Sequence, residues 1–245
     1  MLKNLSNYTT IPQLTNGNLE NIYSIKPRKK VHNYRLVVFD MDSTLIQTEV
    51  INELAKVAGV GEKVAAITES AMRGEIDFNT SLQQRVKLLK GLDSSALESV
   101  YQERLTLNAG AERLMASLKA MGIKTALVSG GFGYFTDRLK DRLNLDFTLS
   151  NVLEEKGGQL TGNVTGTIVN GEVKARFLSE LAEQLGVSLS QTIAVGDGAN
   201  DLLMMGQSGL GVAYRAKPKV QQEADVVLNH SGLDAILHFL SNGNS

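Results

Sequence analysis

The chain has 245 residues, 42% of them hydrophobic, and a net charge of -1, so it can bury one sizeable core with a smaller inserted unit and carries no global field toward nucleic acid or a membrane. It has no cysteine and three histidines, which excludes disulfides, thiolate metal sites and a cysteine nucleophile and argues against a histidine-rich metal site. No apolar run approaches the roughly 18 residues of a membrane span, and no signal-like apolar segment opens the chain, so a cytoplasmic protein is expected.

Residues 1–33 differ from the rest. They are rich in asparagine, hold Pro12 and Pro27, and end near the basic run "KPRKK", so they read as an extension with weak local structure at most. "RLVVFD" then reads as a buried strand. From about Glu49 to Leu105 the spacing turns helical, with Leu54 and Val57, Val64 and Ile67, and Leu82, Val86 and Leu89 on common faces, broken at Gly59, Gly61, Gly74 and Gly91. This is the pattern of a small helical insert.

Strand patterns return later. "GAERLMASLKAMG" reads as an amphipathic helix, and "IKTALVSGG" as a strand running into Ser129 and two glycines. "NVLEEKGGQLTGNVTGTIV" reads as a hairpin, "KARFLSELAEQLG" as a helix, "TIAVGDGAND" as a buried strand opening into a glycine-rich loop, and "LGVAY" and "DVVL" as short strands. Strands alternating with helices predict a doubly wound α/β fold with a parallel sheet, and ligands sit outside the carboxyl ends of such strands. Three predicted strand ends carry polar groups: Asp40 and Asp42, Ser129 with Gly130, and the run Asp197, Asn200, Asp201. Lys174 stands near the start of a helix.

Carboxylates gathered at one rim repel and raise one another's pKa unless a cation joins them. Oxygen donors without a cysteine or histidine cluster favour Mg2+ over zinc. A carboxylate held beside a phosphate can attack phosphorus, and a second can move protons to and from the leaving oxygen and water. The blander reading is that Asp42, Ser43 or Thr44 caps a helix starting near Leu45. It leaves Asp40 without a role.

"DMDST", "SGG", a lone Lys174 and "GDGAND", in that order, resemble the haloacid dehalogenase-like phosphatases, and within them the branch that hydrolyses phosphoserine. The resemblance covers roughly residues 34 to 235. It implies a doubly wound parallel sheet core of Rossmann type at 34–48 and 106–245, an inserted helical cap at 49–105, and an amino-terminal extension at 1–33 without assigned function. It implies Asp40 as nucleophile, Asp42 as general acid and base, and Ser129 and Lys174 on the phosphoryl group, with Gly130 and Asn200 at the substrate. Mg2+ would sit on Asp40, Asp197 and Asp42 through its backbone carbonyl, with Asp201 in support. In the cap, Glu49, Met72, Phe78 and Arg85 would take the amino-acid end.

The implied reaction is hydrolysis of O-phosphoserine through an aspartyl-phosphate, the last step of serine biosynthesis, on a small-molecule substrate with no nucleic-acid or membrane partner. Two alternatives stay open at this point: a related Mg2+-dependent phosphatase or phosphotransferase for another small phosphomonoester, and a catalytically silent binding module. The sequence assigns no oligomeric state.

Overall fold

A strand such as Leu36–Phe39, with no polar side chain, is stable only if both of its faces are covered. The structure, a computed structural model, describes residues 33–240 and the backbone of two strands at 8–15 and 18–25. Among the described residues nine strands form one sheet. They are β1 (Tyr8–Thr15), β2 (Asn18–Ile25), β3 (Leu36–Phe39), β4 (Lys124–Phe132), β5 (Phe147–Lys156), β6 (Gln159–Thr165), β7 (Thr192–Gly196), β8 (Leu210–Tyr214) and β9 (Val226–Leu228). Their order is β1-β2-β9-β8-β7-β3-β4-β5-β6. The run from β9 to β5 is parallel, and β6 and β2 are antiparallel additions at its edges.

Alternation along the strands divides the core. Val37 and Phe39 of β3 join one apolar cluster, and Leu36 and Val38 join the other. α5 (Ala111–Ala120) and α6 (Gly133–Leu143) cover the first face. α7 (Gly171–Gln184), α8 (Leu202–Gln207) and α9 (Pro218–Glu223) cover the second. Because β3 lies between β4 and β7, the chain leaves it in opposite directions for its two neighbours, which opens a crevice at its carboxyl end.

Between β3 and β4 the chain makes four helices, α1 (Val50–Val57), α2 (Gly61–Met72), α3 (Phe78–Lys87) and α4 (Ser95–Arg104). Val64, Leu82, Val86 and Val100 belong to the same apolar cluster as Phe39 and Phe135, so the insert packs on the sheet domain. Its two linkers are joined to each other, with Gln47 N–H donating to Thr106 O (2.9 Å) and Asn108 N–H to Leu45 O (2.8 Å). A second attachment runs to β6, where Gly91 N–H donates to Leu160 O (2.8 Å) and Leu160 N–H to Leu92 O (2.9 Å).

Two expectations are corrected. No helix starts at Leu45; Met41–Leu45 is a short irregular turn with Ser43 at φ 58°, and the first regular helix begins at Val50. Residues 8–15 and 18–25, where weak local structure at most was expected, are strands. β1 and β2 pair as a hairpin, and β2 adds to β9. The two residues between these strands, Asn16 and Gly17, are the pair that two-residue hairpin connections favour. Pro12 is compatible with β1 because that strand is the sheet's edge. The basic run "KPRKK" lies outside the described residues.

Gly209 precedes β8 at the end of the sheet opposite the crevice. A Cβ there would lie 2.0 Å from the Ser190 carbonyl oxygen, a backbone atom that cannot swing aside. Gly209→Ala is expected to destabilise the fold by roughly 1–3 kcal/mol through overpacking. For a chain of this size that lowers the melting temperature by roughly 2–12 °C. Thermal denaturation checks it; an unchanged melting temperature would show that the strand-to-loop contact yields freely.

Candidate active site

Asp40 directly follows β3, and its N–H still pairs with Val195 O of β7 (2.9 Å), so sheet hydrogen bonding carries it into the crevice. It is 5% exposed. Lys174, in the first turn of α7, is fully buried and places Nζ 2.5 Å from Asp40 Oδ1 and 2.8 Å from Asp201 Oδ1. The helix start that delivers this lysine is capped by Asn170, whose side chain accepts from Val173 N–H (3.1 Å). Asp201 is held in turn by Gly198 N–H, which donates to its Oδ2 (3.0 Å). Gly196 has to lack a side chain, since a Cβ there would fall 2.4 Å from Asp201 Cγ.

Asp42 reaches the same crevice from the irregular turn. Its Oδ1 accepts from Val50 N–H (2.7 Å), so it does serve a helix start, though that of α1 rather than one at Leu45. Its Oδ2 faces Ser129 Oγ at 3.4 Å, and Ser129 Oγ accepts from Gly131 N–H at 2.8 Å. The turn's left-handed Ser43, a conformation rare outside glycine, is held in place by Asn108. Its buried amide donates to Thr44 O (2.9 Å) and Ile46 O (3.1 Å).

The electrostatics of the crevice are lopsided. Burial pushes the Asp40 carboxyl well above the ordinary carboxylate range; Lys174 opposes this, and Asp201, Asp197 and Asp42 add to it. Burial, then the charge of Glu49, pushes Asp42 up as well, against the hydrogen bond from Val50. Asp197 is pushed up to about 7 by burial and by Asp201 and Glu49. Burial would lower the Lys174 pKa, but Asp201 and Asp40 outweigh it and raise it, so the ammonium keeps its proton. Four aspartates thus share one buried lysine, with Lys217 a second positive charge acting on Asp197. Carboxylate oxygens of Asp40, Asp197 and Asp201 lie within 4.8 Å of one another, a grouping suited to a cation. Asp201, expected only in support, stands in that grouping; the Asp42 carboxylate does not.

Above the crevice a cavity of about 990 Å³ is lined by Asp40, Asp42 and Asp197 from the sheet side and by Glu49, Phe78 and Arg85 from the insert side. Met72, Gly130 and Asn200 also border it, Met72 at the rim with 65% exposure. Ser129 and Lys174 lie fully buried and reach the site through Asp42 and Asp40. Glu49 Oε1 accepts from Ser43 Oγ (2.9 Å). Burial lowers the Arg85 pKa while Glu49 and Asp42 pull it back up. Its Nε donates to Ser81 O (3.3 Å), and no carboxylate of the described residues forms an ion pair with it.

All the residues singled out from the sequence therefore converge on one site. Sequence reasoning missed Asn108, Asn170, Ser81 and Lys217, the last two of which line the cavity. Of these only Asn170 carried a local signal, as an asparagine just before an amphipathic helix.

A family profile described as haloacid dehalogenase-like hydrolase matches residues 34–209. The chain belongs to the haloacid dehalogenase-like hydrolases. A phosphoserine phosphatase of Polaromonas sp. is 52% identical over 219 residues, covering 87% of this chain and 93% of that protein. A solved structure described as a phospho-aspartyl intermediate analogue of phosphoserine phosphatase is 40% identical, with a TM-score of 0.80 over 85% of this chain and 99% of the other. A structure described as a substrate-bound phosphoserine phosphatase complex matches with the same identity, TM-score and coverage.

Removing Lys174 leaves Asp40 and Asp201 buried without their shared counter-ion. Breaking a buried pair from one side costs roughly 3–5 kcal/mol. Lys174→Ala is expected to lose about that much stability in metal-free protein, read by urea unfolding in the presence of a chelator. A midpoint equal to wild type would mean that the lysine does not hold the carboxylates together.

Proposed function

We propose that this chain hydrolyses O-phosphoserine to serine and phosphate through a phosphorylated Asp40, the last step of serine biosynthesis, as a cytoplasmic, Mg2+-dependent phosphoric monoester hydrolase. One observation carries the reading: a lysine-held aspartate and two opposite charges suited to an amino acid, Glu49 and Arg85, border a single cavity. In this reading 34–48 and 106–245 form the catalytic core, 49–105 cap the substrate, and neither nucleic acid nor membrane takes part. Among the described residues no helix is long and apolar enough to cross a membrane.

The donors suit a hard divalent ion. The group is all oxygen, and burial with mutual repulsion raises Asp40 and Asp197, a strain that a cation relieves. Asp40, Asp197 and the Asp42 backbone carbonyl would hold Mg2+, with Asp201 in support. When bound, the ion offsets the charge of the carboxylates and polarises the phosphoryl oxygens.

Lys174 fixes Asp40 through one oxygen, which leaves the other to attack phosphorus. A phosphorus–oxygen bond forms to Asp40 as the bond to the serine oxygen breaks. Asp42 gives that oxygen its proton. Its raised pKa favours carrying one, and Oδ2, which faces Ser129, is the oxygen that Val50 N–H does not engage. Asp42 then takes a proton from water, whose oxygen attacks the phosphorus and frees Asp40. Ser129 Oγ and the Lys174 ammonium meet the phosphoryl oxygens, where charge spreads in the transition state. Arg85 pairs with the substrate carboxylate, Glu49 with its ammonium, and Phe78 and Met72 exclude water.

Phosphate release from a panel of phosphomonoesters tests this. Phosphoserine is expected to be preferred, chelation to stop turnover, and Mg2+ to restore it far better than Ca2+, whose looser coordination disturbs the attack geometry. Equal rates across the panel would favour another small phosphomonoester, and no release from any would leave a silent module. Full activity in metal-free protein would rule the scheme out.

Arg85→Ala separates the two ends of the site. Loss of a charge-assisted pair in a closed site costs roughly 2–5 kcal/mol, about 30- to 4000-fold in kcat/KM. The fall is expected for phosphoserine and not for an uncharged aryl phosphate, with the melting temperature unchanged. Arg85→Lys should rescue only part, lacking the planar fork. Equal losses on both substrates would contradict the assignment.

A further inference from the structure

Helical serines and threonines can return their hydroxyl to the carbonyl four residues back. Thr68 does so to Val64 (3.0 Å), Ser99 to Ser95 (3.3 Å), Ser117 to Arg113 (2.9 Å) and Ser179 to Ala175 (3.2 Å). Ser81 of α3 does not. It is 1% exposed, it lines the cavity, and its Oγ has no hydrogen-bond partner among the described residues. A buried polar group without a partner is rare and unfavourable in a native fold, and calls for an explanation.

Its neighbour supplies one. Arg85 is four residues on, one turn along the same face of α3, and its Nε donates to the Ser81 carbonyl (3.3 Å). Its guanidinium ends likewise have no carboxylate partner among the described residues. An unpartnered hydroxyl beside a guanidinium that has no carboxylate partner among the described residues suits a ligand with two acceptor oxygens in one plane, which is a carboxylate. In the proposed function the phosphoryl end is served elsewhere, by Ser129 and Lys174, which contact Asp42 and Asp40.

We propose that Ser81 is a specificity-determining residue, its hydroxyl donating to the substrate carboxylate beside Arg85. The proposal rests on the phosphoserine reading and deepens it. The free protein already carries the cost of burying this hydroxyl, so a substrate with a carboxylate recovers it and one without cannot.

Ser81→Ala tests it on phosphoserine and on phosphoethanolamine, which keeps the phosphate and ammonium and lacks the carboxylate. A hydrogen bond to a charged group corresponds to a fall in kcat/KM of about 10- to 150-fold. That fall is expected for phosphoserine alone. The melting temperature should hold or rise, because the variant removes an unsatisfied group rather than a bond. Equal losses on both substrates with a lower melting temperature would overturn the proposal, since Ser81 would then serve the fold. An unchanged preference in the variant, with wild type preferring phosphoserine, would overturn it and leave the functional reading standing. A wild type without that preference would overturn both.

Discussion

A lysine ammonium buried between two aspartates sets the terms for everything around it. Lys174 is withdrawn from water at the junction of α7 with the carboxyl ends of β3 and β7, and only its contacts with Asp40 and Asp201 make that tolerable. To keep those contacts, α7 has to begin at one place, which Asn170 fixes as its cap. The turn after β7 has to bring Asp201 inward, which Gly196 allows and the Gly198 amide secures. The same lysine holds Asp40 by one oxygen and leaves the other free, so a structural pair becomes an aimed nucleophile in the proposed reaction. It does not neutralise the site. Asp40, Asp42 and Asp197 stay raised despite Lys174 and, at Asp197, Lys217, and that residual repulsion is the physical case for a divalent cation.

In the proposed reaction the insert would take the other end of the substrate, and its placement is enforced in several ways. Its apolar residues share a cluster with the sheet, and its linkers are bonded to each other beside the Asp42 turn. The tip of the Phe78 ring sits where a Cβ on Gly130, near the end of β4, would come within 2.7 Å, so any side chain there would push the ring aside. Asn170, which caps the helix of Lys174, also donates to Asn79 Oδ1 of α3 at 3.2 Å. The helix that carries Ser81 and Arg85 is thereby registered to the one that carries Lys174. The proposed phosphate and amino-acid ends of the site are thus set at a fixed separation by packing rather than by a shared loop.

Much of this was legible in the amino-acid order. Apolar runs such as Leu36–Phe39 and Thr192–Gly196 require cover on both faces, which dictates a doubly wound sheet, and the acidic residues that follow them are placed by strand geometry alone. Helical spacing from Glu49 to Leu105 defined the insert. Local patterns also overstated and understated order. Residues 41–45 looked like a helix start, but Asn108 holds that turn from 64 residues away through Thr44 O. The pairing of β1 with β2 was hidden by asparagine content, although Asn16 and Gly17 separate the two strands in the sequence.

The sequence by itself determined the strand and helix periods, the four acidic positions and the order of the motifs, because these depend on neighbours along the chain. Only the tertiary structure decided that Lys174 divides itself between Asp40 and Asp201, that Asp42 leans on Val50, and that Ser81 is left without a partner facing a cavity. Each of those facts is a distance between elements brought together by burial, and no local pattern of residues encodes it.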